Sequence, residues 1–596
     1  MDSSGKNRTA VVRVRRKRKA RHGAKVGVIA TSLSKHKYCT LQNVFLVGVW
    51  TTIFISIILS EIFISSFHST HVTDKEEWEQ ARRRHHSSSK KMQTPYLGEL
   101  NCVEHGGPDN LLAEEMVYWQ AIPRDLEHTT PFYQENERER FLTFEPYHGS
   151  FNNMRLSFET ALALAYATGR TLVLPPKHAI PLLSPGEHKQ VGISDFFAMK
   201  SLHAKQHKGR KVITMKEFLN RQLHMKKPLL HIPHNRTNWN GQSVHKLYTM
   251  LRNQAQVPDW NPDDCIAYFP KNPDAKPEKL QHMFQTQVLD KNPSWEDYVD
   301  KPTPLHASPH YRLAEMTAGR ERLCLYGPKL REAPLIHFPT RELHQRDDGD
   351  GTRNHLLVPF YAFLFFQDIH QDLWLKRFIR DHLRYNPEIT CAAARVVASL
   401  RNMARNTTGG GNGTFQTMHV RRGDFQEIYI KTRVSGEDIY DATVDVFQPG
   451  DVVYIATDEK DRSFFNPLMK HYKVFFLDDF IKNGVLAGAH GRDMNPEFYV
   501  MIDQLVASRG QNFFGCFLST FTSYINRLRG YHSQLEEREG YRDGKDTSSY
   551  FYAPDDHRFQ MHYYHPIKER FFAREFPTSW RMIDRDVPDV KHTDVQ

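Results

Sequence analysis

The chain has 596 residues, 25% charged and 39% hydrophobic, which on length alone leaves room for about three or four domains with sizeable cores. Its net charge of +11 sits entirely in residues 1–40, where 12 Lys/Arg face Asp2 alone; the remaining 68 basic and 68 acidic residues cancel. A basic excess confined to a tail removes the main support for a nucleic-acid partner, and six cysteines are too few for a disulfide scaffold in a chain this long.

The basic tail (1–40) precedes an apolar stretch, Leu41 to Phe67, with 17 uncharged residues from Val44 to Ser60. That length suits a short membrane span. Basic residues before it retain the amino terminus in the cytosol, and no small-residue cleavage site follows. The segment therefore reads as a signal anchor (41–67), a single-pass type II arrangement with the rest of the chain in the secretory lumen. Residues 68–139 are polar and mixed in charge, including ARRRHHSSSKK at 81–91, and read as a stem. Cys102, Cys265, Cys324, Cys391 and Cys516 are widely spaced and without a zinc pattern. A lumenal compartment permits disulfides among them, with at least one of the five left over. Asn235, Asn406 and Asn412 open glycosylation sequons.

FLTFEP (141–146) has the look of a strand, followed by the loop YHGSFNN and a helix from Arg155 to Thr168 with an apolar stripe. Gly169 stands where a left-handed C-cap would end that helix. TLVLPP (171–176) is a second apolar strand. Strand, loop, helix and strand make a βαβ unit with parallel strands. Gly149, Asn152, Asn153 and Arg155 fall at the helix start, a natural anion site unless the two asparagines merely cap the helix. Residues 177 to about 328 read as insertions decorating a core. PLIHFP (334–339) is a further strand, and RDDGDG (346–351) is read as a solvated loop rather than a metal site, because Glu342 to Arg346 and not a hydrophobic strand lead into it.

Leu373 to Leu400 is helical apart from a break at Pro387. Then TFQTMHVRRGDF (414–425) alternates as a strand: Phe415, Thr417, His419 and Arg421 on one face, Gln416, Met418, Val420 and Arg422 on the other. Gly423-Asp424 breaks the run. A histidine and two arginines thus gather at the carboxyl end of a parallel strand, where open α/β sheets place their ligands, and guanidinium forks suit phosphate oxygens. DVVYIATDE (451–459), YKVFFLDD (472–479) and FFGCFLSTF (513–521) read as further strands, the last running into the helix TSYINRLRG. Ser519, Thr520 and the first amides of that helix form a ready phosphate cradle. No GxGxxG or P-loop motif stands where either half would need it.

Four segments, HVRRGDF, YIATDE, the DQLVASRG…FFGCFLSTFTSYINRLRGY block, and GSFNNMR with GRTLVLPP, together resemble the GDP-fucose protein O-fucosyltransferase superfamily. The resemblance runs from about Phe141 to Tyr531. It implies an α/β, GT-B-like architecture of two Rossmann-like domains facing a cleft, here a 140–400 half with insertions and a 401–575 donor-binding half, followed by a 576–596 tail. It also implies an inverting transferase that takes fucose from GDP-fucose to a hydroxyl acceptor, a Ser/Thr of a secretory-pathway protein, in the Golgi or endoplasmic reticulum membrane, with no cofactor and no metal. A glycan acceptor, or a non-catalytic sugar- or peptide-binding protein, are the alternatives. Position by position, His419 and Arg421 match the residues that meet the sugar diphosphate, and Arg421 the one that neutralises the leaving β-phosphate. Asp458 matches the acid at the nucleoside. Ser519, Thr520 and Phe521 match the segment around phosphate and guanine, and Asn152 and Asn153 the loop facing donor and acceptor. Asp424 orients the arginine-bearing loop. Some members carry a glutamate base in the Gly-Phe-Asn loop, whereas GSFNNMR has none. The base is left open between Glu145 and the nearer His148, unless an Asn-lined site works without a strong base.

Overall fold

The computed structural model describes residues 100–585 except 121, 136–137, 147–149, 178–190, 203–210, 226, 231–240, 291–307, 318, 341–355, 408–412, 539–547, 554–556 and 562–578. The stretch Leu41 to Phe67, the His148 candidate, Asn235, Asn412 and RDDGDG lie outside the described residues. Among those described, no helix is long and apolar enough to cross a membrane.

Strands whose every residue is buried belong in sheets covered on both faces, and such sheets are parallel. Phe141–Phe144 (β1) is of this kind. It is followed by Phe151–Ala167 (α1), Thr171–Leu174 (β2) and Val212–Thr214 (β3). After the helix Gly241–Gln254 (α2) come Cys265–Phe269 (β4), Arg322–Leu325 (β5), Leu335–Phe338 (β6) and Leu364–Phe366 (β7). One parallel sheet runs β3-β2-β1-β6, and a second, β5-β4-β7, takes β4 and β5 from the region expected to be insertions decorating a core. That segment is a correction: its strands are short and set between polar stretches, so no long apolar period marks them in sequence. Helix α1 begins four residues earlier than expected, so Asn152 and Asn153 lie in its first turn; Gly169 follows it at φ 66° as anticipated.

Helices Ile369–His382 (α3) and Pro387–Thr407 (α4) lead to the third sheet. Its elements are Gln416–Val420 (β8), Val452–Thr457 (β9), Lys473–Phe475 (β10), Tyr499–Ala507 (α5), Phe513–Cys516 (β11), Thr520–Leu535 (α6), Ser549–Ala553 (β12) and His557–Gln560 (β13). The order is β10-β9-β8-β11-β12-β13, parallel except for the β12–β13 edge. The strand expected over 472–479 stops at Phe475, because Asp479 accepts from the Phe476 amide and opens a helix at Leu477. In both larger sheets the chain steps outward through three strands, then returns beside the first. This is the 3-2-1-4 order of doubly wound folds, whose ligand crevice lies at the reversal point. The reversal falls between β1 and β6 in one sheet and between β8 and β11 in the other.

Two expected appendages are parts of the packed body. The described part of the expected 68–139 stem is no free spacer: Met116, Tyr118 and Trp119 are buried, and Cys102 is disulfide-bonded to Cys391 of α4. At the other end, Trp580 of the expected tail packs against Gly530 of α6, and Asp584 accepts from Arg380 of α3. Cys265 pairs with Cys324 across β4 and β5, and Cys516 is left as a buried thiol.

Candidate functional site

The alternation along β8 holds in three dimensions. Met418 and Val420 enter the core cluster with Val453, Ile455 and Phe514, while Thr417 and His419 point to the opposite face, toward α5 and α6. The strand ends where polar residues take over. Gly423 adopts φ 54°, and a Cβ there would meet Asp458 Oδ2 at 3.2 Å, so the RRGD turn requires glycine.

That turn brings Arg421 against two acids. Its Nη2 donates to Asp424 Oδ1 at 2.8 Å, and its Nη1 donates to Asp458 Oδ2. The other oxygen of Asp458 accepts from the Arg422 amide at 2.7 Å. Asp458 therefore anchors the arginine turn. The side chains of Arg421 and Asp458 remain 25% and 29% exposed, so the fork is pre-set but reachable. Arg422 turns the other way, to Glu459 at 3.1 Å and over the Phe464 ring.

Across the reversal point, β11 runs into α6 through Leu518, a non-glycine residue at φ 64°, a conformation kept where a site demands it. Ser519 is the N-cap of α6, and no side chain caps that helix start. Phe521 stacks on the His419 ring at 4.4 Å. Burial, reinforced by the charge of Arg421, brings the His419 imidazole down to about 3, so it is neutral near pH 7. Thr520 Oγ1 donates to Asn153 Oδ1 at 3.1 Å, and Asn152 Oδ1 accepts from Gln504 Nε2 of α5 at 2.8 Å. The structure thus brings together His419, Arg421, Asp458, Ser519, Thr520, Phe521, Asn152 and Asn153 around α6 and the β8 end.

Glu145 is held by a different set of partners. That carboxylate is buried beneath Arg252, whose Nε donates at 2.7 Å, and beside His337 Nε2 at 3.0 Å; the Thr340 amide reaches it at 3.3 Å. Burial would raise its pKa, but the His337 and Arg252 hydrogen bonds outweigh it and hold the group below the ordinary range. A carboxylate so engaged is a poor proton acceptor, which counts against the catalytic assignment of Glu145.

Sequence reading missed Gln504 and the buried pair beneath the site, Arg527 Nη2 donating to Glu159 Oε2 at 2.7 Å, with Arg155 completing the group over the Tyr524 ring. Glu159 stands alone as an acid within the apolar α1, and that is the signal that could have flagged it; Arg155, expected at an anion site, is instead buried against Glu159. Among the described residues, no group of three His, Cys, Asp or Glu is placed to hold a metal.

The profile of the GDP-fucose protein O-fucosyltransferase family matches residues 141–532. The chain belongs to this family. It is accordingly a GDP-fucose-dependent glycosyltransferase, and the matched span contains every site residue named above. No curated protein matches. Among solved structures, a crystal structure of POFUT1 in complex with GDP-fucose is 15% identical, covering 70% of this chain and 99% of that one, with a TM-score of 0.30. NodZ α-1,6-fucosyltransferase co-crystallised with GDP is 13% identical over 66% of this chain and 93% of that one, with a TM-score of 0.26. Fucosyltransferase NodZ from Bradyrhizobium is 12% identical over 66% and 94%, with a TM-score of 0.28.

Proposed function

We propose that this O-fucosyltransferase moves fucose from GDP-fucose to a Ser/Thr hydroxyl of a secretory-pathway protein, with inversion, in a crevice between two Rossmann-like halves in the GT-B manner. The observation that carries the reading is the reversal point of the third sheet, where a part-exposed Arg421 fork, a neutral His419 and the uncapped start of α6 converge. Each is a diphosphate-binding feature, and none needs a metal. In the transfer, the acceptor hydroxyl oxygen attacks the anomeric carbon opposite the leaving group, the bond to the β-phosphate oxygen breaks, GDP departs with its electron pair, and the hydroxyl proton passes to solvent water. One displacement inverts the centre. Arg421 neutralises the charge that grows on the β-phosphate, while Asp424 and Asp458 hold its fork in place beforehand. Asn152 and Asn153, tied to Gln504 and Thr520, form the opposing wall. Because Glu145 is engaged by Arg252 and His337, we route no proton through it.

We further propose the single-pass type II topology, with residues 1–40 cytosolic, 41–67 spanning, and the catalytic body lumenal in the Golgi or endoplasmic reticulum. Two disulfides and an exposed Asn406 sequon support an oxidising, glycosylating compartment. Protection of the carboxyl-terminal body from protease in sealed microsomes tests the topology, and digestion there overturns it. The activity is tested by GDP release from GDP-fucose in excess EDTA, with unfolded peptides, folded domains and free glycans offered in parallel. Transfer to a folded domain or peptide is expected. Transfer to glycans alone would replace the acceptor, and absence of turnover with every acceptor would remove the proposed activity.

A further inference from the structure

His419 Nδ1 lies 2.7 Å from Thr522 Oγ1, and both side chains are buried. Thr522 is the third residue of α6. A threonine inside a helix turns its hydroxyl to the carbonyl four residues back. Here that residue is Leu518, outside the helix at φ 64°, and the hydroxyl meets the imidazole instead. Strand β11 makes the approach possible. Gly515 stands opposite His419 in the β8–β11 register, and a Cβ built on it would lie 2.2 Å from Thr522 Cγ2. Any side chain at 515 would push the start of α6 away from the histidine.

A neutral imidazole carries one N–H, and the partner of one nitrogen decides which nitrogen bears it. With the Thr522 hydroxyl donating to Nδ1, the proton resides on Nε2. The reverse arrangement would turn a bare nitrogen lone pair toward an incoming anion. Phe521, stacked on the ring, fixes its plane.

We propose that Thr522, in the space that Gly515 leaves, is a positioning residue that sets His419 as its Nε2–H tautomer, a neutral hydrogen-bond donor for a diphosphate oxygen. Arg421 supplies the charge, and His419 supplies a donor that adds none beside it. The inference rests on the donor-site reading proposed above.

The test is GDP binding by titration calorimetry on the full chain in detergent, with melting temperature as the folding control. Thr522→Val keeps the shape and removes the hydroxyl; it should weaken GDP binding about five- to tenfold, the usual worth of one hydrogen bond. Thr522→Ser should restore affinity to within about twofold of wild type. In a His419→Ala background, Thr522→Val should add no further loss, because it acts through the histidine. If Thr522→Val melts early, Thr522→Ala against Thr522→Ser carries the same comparison. Wild-type affinity in the hydroxyl-free variants, or an equal loss in the His419→Ala background, overturns the positioning role alone. Wild-type GDP affinity in both His419→Ala and Arg421→Ala overturns the donor-site reading and this inference with it.

Discussion

Each of the two larger sheets carries an arginine, a histidine and at least one carboxylate at the point where its strand order reverses. At the end of β1, Glu145 joins Arg252 of α2 and His337 of β6; at the end of β8, Arg421 joins Asp424 and Asp458 near His419. The residue types are almost the same, but the surroundings are not. Glu145 and His337 are 2% and 0% exposed, and Arg252, the Thr340 amide and the Thr143 hydroxyl occupy them. The β8 cluster is one-quarter exposed at Arg421, and of its acids Asp424 is exposed and Asp458 part-exposed. One cluster is a buried tie between β1, β6 and α2; the other is a fork held ready. Composition does not separate them, whereas closure does.

The strongest way to break this comparison is to remove the open fork. Arg421→Ala and Arg421→Lys should fold with unchanged melting temperature, bind GDP more weakly, and lose about a hundredfold or more in transfer, some 3 kcal/mol in the barrier. Lysine fails because it has the charge without the planar fork. GDP release at the wild-type rate from Arg421→Ala would show that the open cluster is no more functional than the closed one.

The closed cluster should answer in stability instead. Glu145→Ala strips the partner from Arg252 and His337 and should cost about 3 kcal/mol, at the low end for a broken buried pair because Arg252 is itself part-exposed. Urea unfolding measures this. Transfer per folded molecule should persist; a stable variant without transfer would return Glu145 to the chemistry.

Both clusters share one acid-side weakness. Burial lowers the pKa of His337 and of His419, the latter to about 3. A histidine whose folded pKa is depressed stabilises the fold fully above its unfolded value near 6.5, and that contribution is lost as pH falls toward the folded value. Wild-type stability should therefore drop below about pH 6.5, and His419→Gln should show a shallower drop across the same window. Identical slopes would place His419 in a more solvated setting than the structure gives it.

The smallest effect sharpens the geometry of β8. Arg422→Ala removes an ion pair with Glu459 and a contact with Phe464, worth about 1 kcal/mol or less at a partly solvated site. Transfer should change little. A loss matching that of Arg421→Ala would mean that both faces of the strand end serve the donor.

Much of this was legible in the chain itself. The strands 141–144, 171–174, 335–338, 416–420, 452–457 and 513–516 announce themselves as apolar runs bounded by Gly, Pro or charge, and His419 and Arg421 share a face by simple alternation. The strands Val212–Thr214 and Leu364–Phe366 do not, being only three residues long. The helix start at Phe151 was obscured by the polar Asn152 and Asn153, whose partners lie 352 and 367 residues away in sequence.

What the sequence by itself determined is local: the period of each element, the glycine that the RRGD turn requires, and the family motifs in their order. These follow from backbone sterics and the burial of alternating side chains, which depend on near neighbours in the chain. Tertiary structure decided what depends on distant partners. It chose Cys391 for Cys102 and buried Met116, Tyr118, Trp119 and Trp580 in the body. It also closed Arg252 over Glu145 while leaving Arg421 open. A carboxylate becomes a tie or a site according to how many donors the fold brings to it, and those donors arrive from segments a hundred or more residues away.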